Sequence, residues 1–245
     1  MDNFKFYDEL SSEYDNMINF SGNLKTRTES LRIFIEDSKS AADIGCGTGL
    51  DSIALFKNNL SVDAFDPSEG MIVKAKLNAA NYSSDINFYN ISIDKIPKEF
   101  ENKYDLVVSL GNAIPNIEPK ILLAGFKNIF STLRVNGKFV CQILNYKRIL
   151  MQKERIINIK EFNGKYFIRF YDFNETDLSF NVLAFEKENP GKHNIISTKI
   201  FPYRLEEINK MLIESDFNDV MFYGNLDKSE YDPLTSLNLV IEAKK

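Results

Sequence analysis

Three glycines and two aspartates carry the chemistry that the sequence declares first. The run Ala42-Asp43-Ile44-Gly45-Cys46-Gly47-Thr48-Gly49-Leu50 lies between a short apolar segment and a helical one. In a sheet of alternating strands and helices, such a turn falls at the carboxyl end of a strand, where nucleoside cofactors bind. Glycine belongs there because a side chain would block a ligand's approach to the backbone, and because such a turn can demand positive φ. A dinucleotide site would carry Gly-x-Gly-x-x-Gly, which from Gly45 asks for glycine at position 50, where Leu50 stands. The phosphate-cradling Gly-x-x-x-x-Gly-Lys-Ser/Thr is absent too. Further along, Val62-Asp63-Ala64-Phe65-Asp66 ends a strand in a carboxylate that can accept two hydrogen bonds from a ribose diol. Asp66 could instead cap the helix that opens at Pro67. The glycine turn upstream favours the ribose.

The elements that must position these groups follow from periodicity. Residues 3–18 and 24–37 carry apolar positions at helical spacing, among them Leu24, Leu31, Phe34 and Ile35. Strands are expected at 40–44, 60–65, 86–89 and 105–110. Helices are expected at 50–57, from Pro67-Ser68 through Met71, Val73 and Leu77, and from Pro119 through Phe130. A turn at Asn136-Gly137 leads into a strand at 138–144. This rhythm predicts an α/β fold: a Rossmann-like, doubly wound, seven-stranded and mostly parallel sheet. The texture changes at 155–201, where β-rich runs are joined by turn signals at Asn163-Gly164 and Asn189-Pro190-Gly191. They predict an inserted antiparallel β meander. A helix at 205–215 and strands near Val220 and at 237–243 then return to the first sheet, with the last strand antiparallel at or near an edge. The expected division is 1–150 with 202–245 as one domain, and 151–201 as an inserted subdomain on the substrate side.

Composition narrows the partners. The chain has 245 residues, 44% hydrophobic and 27% charged, enough for a sizeable core. A net charge of −5 with scattered Lys and Arg leaves no footprint for nucleic acid and disfavours anionic membranes. Cys46 and Cys141 have neither disulfide-framework nor metal-ligand spacing, so no metal is expected. With no leader-like or membrane-spanning run, the expected location is the cytoplasm.

The Asp-x-Gly-x-Gly-x-Gly turn and the strand-end acid resemble those of class I S-adenosylmethionine (SAM)-dependent methyltransferases. The similarity extends toward the glycine and sarcosine N-methyltransferase branch. Thr26-Arg27-Thr28, Gly49-Leu50-Asp51-Ser52-Ile53, Leu110-Gly111-Asn112, Asn145-Tyr146, Ile149-Leu150 and, more weakly, Tyr223-Gly224-Asn225 carry it over nearly the whole chain. The resemblance implies SAM as cofactor, with Asp43, Gly45, Gly47 and Gly49 in the turn beneath it and Arg27 on the methionyl carboxylate. It implies Asp66 on the ribose, Pro67 and Met71 flanking the adenine, and Ser92 and Ile93 at the adenine edge. Leu110 and Gly111 would underlie the methionyl portion, Asn112 would face the acceptor, and Tyr7 or Tyr14 would cover the cofactor. Two departures stand out: Leu144 replaces the branch's carboxylate-clamping arginine, and Phe201 replaces a tyrosine. Arg169 is a substitute clamp or has a surface or structural role.

The expected reaction is in-line methyl transfer to a small-molecule acceptor, most simply an amine nitrogen, for which a strong general base is optional. Asn112 and Tyr14 are the candidate catalytic residues, with Tyr171 and Tyr203 as further pocket tyrosines. The lone histidine, His193, reads as structural. A non-catalytic SAM-binding module, an O-methyltransferase of a small metabolite and a nicotinamide-dependent oxidoreductase are the alternatives. A homo-oligomer stays open.

Overall fold

The computed structural model describes residues 3–245. Helices α1 (Asn3–Ile18) and α2 (Phe20–Ile35) precede β1 (Ser40–Ile44), α3 (Leu50–Lys57), β2 (Ser61–Phe65), α4 (Glu69–Asn81) and β3 (Asn87–Tyr89). The alternation continues through β4 (Tyr104–Ser109), α5 (Pro119–Thr132), β5 (Leu133–Leu144) and α6 (Tyr146–Gln152). Four strands come next: β6 (Ile156–Phe162), β7 (Lys165–Phe173), β8 (Leu178–Glu186) and β9 (Asn189–Ile200). The described chain closes with α7 (Leu205–Ile213), β10 (Asn218–Tyr223) and β11 (Asn238–Lys244).

The first sheet has seven strands in the order β10-β11-β5-β4-β1-β2-β3. Strands β1 to β5 run parallel, and β11 is antiparallel to both β5 and β10. The antiparallel last strand therefore lies one place in from the edge, between β10 and β5. Side chains Ala41 to Ile44 and Val62 to Phe65 are all buried, as expected of strands covered on both faces. Strand order reverses between β1 and β4, and that reversal opens a crevice at their carboxyl ends.

Several local expectations shift. Helix α2 begins at Phe20, because Asn19 at φ 53° turns the chain sharply and lets Phe20 enter the core. Asn136-Gly137 is no inter-element turn but lies inside β5, where the register against β4 slips between Tyr104 and Leu106. Asn136 takes φ 65° there, and a Cβ on Gly137 would sit 2.8 Å from the Arg134 carbonyl. The β8–β9 connection falls at Lys187-Glu188, ahead of Asn189-Pro190-Gly191, which belongs to β9. An edge strand tolerates Pro190, whose missing N–H removes no ladder bond the sheet needs. Helix α6, capped by the Asn145 side chain, was not anticipated as an element.

The second sheet is antiparallel, in the order β6-β7-β8-β9. Alternation puts Phe167, Val182 and Ile196 on its inward face, where they pack against Phe6, Leu10 and Met17 of α1. On its other side α1 is latched to α4: Ser68 Oγ donates to Asp8 at 2.6 Å, and Asn78 Nδ2 donates to Asp15 at 2.9 Å. Lys165 pairs with Glu13 at 2.7 Å and ties α1 to β7. Among the described residues, no helix is long and apolar enough to cross a membrane.

Phe6 is fully buried at the centre of this contact. Phe6→Ala is expected to cost about 3–5 kcal/mol of stability, the usual range for emptying a packed aromatic site. A urea midpoint unchanged from wild type would show that α1 is held some other way.

Candidate active site

The crevice at the β1/β4 reversal holds a cavity of about 680 Å³, within the size range of small-ligand sites. Its floor is the turn after β1. Gly45, Gly47 and Gly49 take φ of 74°, 53° and 87°, so the turn is left-handed at three alternate positions. A Cβ on Gly45 would meet the Ala113 methyl at 2.7 Å. Gly111, at φ 63°, faces open space, and any side chain there would project into the void. The amides of Gly45 and Cys46 both donate to the Phe65 carbonyl, at 2.8 and 3.1 Å.

Asp66 stands at the tip of β2 with its carboxylate in the cavity wall. One oxygen accepts the Gly47 amide and the other the Ser68 amide, each at 2.9 Å. Ser68, and not Asp66, is the residue whose side chain caps α4. Burial raises the Asp66 acid to about 6, against the pull of those two amides. Each carboxylate oxygen keeps a second lone pair free for a ligand.

Most of the residues expected from the sequence share this cavity. Pro67, Met71, Ser92, Ile93, Leu110, Gly111 and Asn112 all line it, as do Tyr14 and Arg27. Tyr14 lies over the glycine turn, its Cε1 3.9 Å from where a Gly47 side chain would begin. Tyr7 lines the cavity as well, with its hydroxyl donating to Asn116 at 3.1 Å. Arg27 pairs with Asp51 at 3.1 Å and reaches Gln142 at 3.4 Å.

Two expected cofactor contacts stand behind the wall. Asp43 is buried in β1 and accepts the Ser52 hydroxyl at 2.6 Å, so it braces the turn from below. Burial and the nearby Asp51 push its acid upward. Gly49 begins α3 and packs against Ala75 of α4, where a Cβ would come within 3.3 Å of the Ala75 methyl. Tyr203 is displaced from its expected place: it is buried in the core and donates to the Ile117 carbonyl at 2.6 Å. His193 is exposed on β9.

Other wall residues carried no sequence signal. Thr48 and Ser109 present buried hydroxyls with no hydrogen-bond partner among the described residues, and polar atoms of that kind point to a ligand that satisfies them. Asp94, which accepts the Ser92 hydroxyl, also lines the cavity. Only side-chain geometry brings these three together.

A second cavity of about 210 Å³ shares Tyr7, Tyr14, Gly111, Asn112 and Arg169 with the first. It is bounded by Leu144 at the end of β5 and by Tyr171 and Phe180 of the second sheet. Asn112, at φ 69°, has its carbonyl oxygen held by the Leu144 amide at 2.9 Å, and one amide N–H donates to the Tyr146 hydroxyl at 2.8 Å. No group of three or more His, Cys, Asp or Glu side chains among the described residues is arranged to hold a metal.

Residues 41–137 match the family described as methyltransferase domain. The chain is 25% identical over 224 residues to carboxy-S-adenosyl-L-methionine synthase of Nautilia profundicola, covering 89% of this chain and 88% of the relative. It is 23% identical over 232 residues to glycine/sarcosine N-methyltransferase of Aphanothece halophytica, covering 92% and 84%. These matches support a class I SAM-dependent methyltransferase. A SAM-dependent methyltransferase structure from Clostridium acetobutylicum shares its fold with a TM-score of 0.80 at 17% identity, covering 97% of this chain and 98% of the other.

SAM is thus the cofactor of this methyltransferase, and the cavity suits it: a side-chain-free floor, a carboxylate with spare lone pairs, and unsatisfied buried hydroxyls. Removing the Asp66 carboxylate, as in Asp66→Ala, is expected to weaken SAM binding by about 1–3 kcal/mol, the cost of stranded hydrogen-bond partners. The native acid, raised to about 6, is ionised above that pH and gains a proton as pH falls through it. SAM affinity should hold from pH 8 to 7 and decline below 6 in titration calorimetry. A flat profile with unchanged affinity in the variant would remove Asp66 from the site.

Proposed function

We propose that this methyltransferase acts on the nitrogen of a small amine held in the smaller cavity, with residues 151–201 serving as its substrate-side subdomain. The composition of that cavity's wall carries the proposal. Among the described residues, its lining contains no carboxylate, imidazole, ammonium or thiol group. Burial raises the hydroxyl pKa of Tyr7, Tyr14 and Tyr171 in the wall, and of Tyr146 behind it, so all four stay protonated near neutrality. A hydroxyl acceptor needs a base to take its proton, and none of these groups supplies one. A neutral amine attacks with its own lone pair and releases its proton afterwards.

When bound, SAM supplies a methyl group on a positively charged sulfur. The chain's work is to hold donor and acceptor in line, which can be worth about 7–11 kcal/mol of the barrier. In this arrangement Asp66 takes the ribose hydroxyls, and the backbone at Gly45, Gly47 and Gly111 forms a floor without side chains. Arg27 faces the methionyl carboxylate, and Leu110 lies beneath it. Pro67 and Met71 flank the adenine, with Ser92, Ile93 and Asp94 at its edge. Tyr14 covers the cofactor from α1 and offers a ring face to the cationic sulfur. Asn112 has one amide N–H left after the Tyr146 bond, and that donor orients the acceptor.

Incubation with SAM and a panel of small amines should release S-adenosylhomocysteine. With an active amine, kcat/KM should rise with pH up to that amine's own pKa, and the inflection should move when an amine of different pKa is used. An inflection fixed at one pH whatever the amine would reveal a protein base and defeat the proposal. Asn112→Ala should lower kcat/KM by about 1–3 kcal/mol of transition-state stabilisation, with SAM affinity retained.

A further inference from the structure

Arg169 occupies a place where the surrounding pattern asks for an apolar side chain. Cross-strand pairing puts it opposite Val182 of β8, on the same face as Phe167 and Tyr171, and that face packs inward against α1. It lines both cavities at their junction. Its Nε donates to Asn158 Oδ1 of β6 at 2.8 Å, which fixes the plane of the guanidinium. Among the described residues no carboxylate pairs with it, and the ionisable groups around it are the hydroxyls of Tyr14, Tyr171 and Tyr7 and the Lys160 ammonium.

Lys160 repeats the anomaly. It lies on β6, shares a face with Asn158 and also lines the larger cavity. Arg169 is the charged group that acts on it, so two like charges adjoin in a partly desolvated wall. Of the other cations in the cavity wall, Arg27 pairs with Asp51 at 3.1 Å, Lys199 pairs with Asp177 at 2.7 Å, and Lys95 is exposed to solvent.

Burying a cation without a counter-ion is costly, and arginine cannot escape by losing its proton. Burial weakens the hold of Arg169 and Lys160 on their protons, and binding an anion would strengthen it. With Nε held by Asn158, the two terminal nitrogens are left to form a fork, a shape that binds a carboxylate or phosphate through two parallel bonds. We infer that the methyl acceptor carries an oxyanion group as well as its amine, and that Arg169, supported by Lys160, grips this group at the junction of the two cavities. Arg169 then acts as the specificity-determining residue. It anchors one end of the acceptor on the second sheet while the other end meets the donor near Asn112. This inference rests on the small-amine function proposed above.

The test uses amine pairs that differ only in one charged group: glycine with glycinamide, β-alanine with its amide, and O-phosphoethanolamine with ethanolamine. S-adenosylhomocysteine release is measured for each, and S-adenosylhomocysteine affinity is measured separately by calorimetry. The anionic member of at least one pair should be the better acceptor, the carboxylate and phosphate pairs showing which oxyanion is used. Arg169→Gln should raise KM for that acceptor about 10- to 100-fold, as expected when a charge-assisted bidentate contact is lost. Affinity for S-adenosylhomocysteine should stay within about twofold, because the cofactor's contacts are made elsewhere. Arg169→Lys should recover part of the loss, and a thermal melt checks that each variant is folded. Three results would overturn the inference: neutral members serving as well as anionic ones, no anionic member being used or shifting the melt of the S-adenosylhomocysteine-loaded protein, or Arg169→Gln losing cofactor affinity instead. Failure of wild type to bind S-adenosylhomocysteine would strike the underlying function and leave a different signature.

Discussion

The Gly47 amide donates to the Asp66 carboxylate at 2.9 Å, while the amides of Gly45 and Cys46 converge on the Phe65 carbonyl. These bonds tie the tips of β1 and β2 together across adjacent parallel strands. The turn between β1 and α3 can follow this path only with positive φ at alternate residues, which is why glycine recurs there. The same bonds hold a carboxylate in a desolvated wall and bring its acid to about 6. A floor without side chains and a poised anion arise from one local knot, and the cavity for SAM is built around it.

Charge is sorted along the cavity. Asp66, Asp51 and the buried Asp43 lie around the glycine turn, and Arg27 answers Asp51 there. Arg169 and Lys160 line the cavity from the second sheet, with no acid paired to them among the described residues. With them goes a band of neutral tyrosines, in which the Tyr7 hydroxyl donates to Asn116 and the Tyr146 hydroxyl accepts from Asn112. Such a band offers shape, ring faces and hydrogen bonds without proton chemistry, which suits a reaction whose difficulty is alignment.

The second sheet and α1 complete the enclosure. Helix α1 is pinned to α4 through Asp8 and Asp15 and to β7 through Glu13, and its apolar face fills the inward side of the sheet. The junction of the cavities is thereby partly desolvated, which strengthens electrostatic contacts there.

What the sequence alone determined is local. The glycine spacing, the acid at the end of β2, the alternation of strands and helices and the change of texture after 155 all arise from short-range periodicity and turn chemistry, and the fold class was legible from them. Element edges shifted where the register slipped, at Asn136-Gly137 and before Pro190, because pairing partners decide such boundaries. Only tertiary structure decided which atoms face the cavity. Asp43 and Gly49 belong to the motif yet stand behind the wall, Tyr203 turns into the core, and Thr48, Ser109 and Asp94 turn into the cavity. In the sequence Arg169 was a candidate clamp with a surface or structural role as the alternative, and nothing local chose between them. Its meaning depends on which face of β7 packs inward and on the absence of a carboxylate beside it among the described residues, and both are properties of long-range packing that neighbouring letters do not encode.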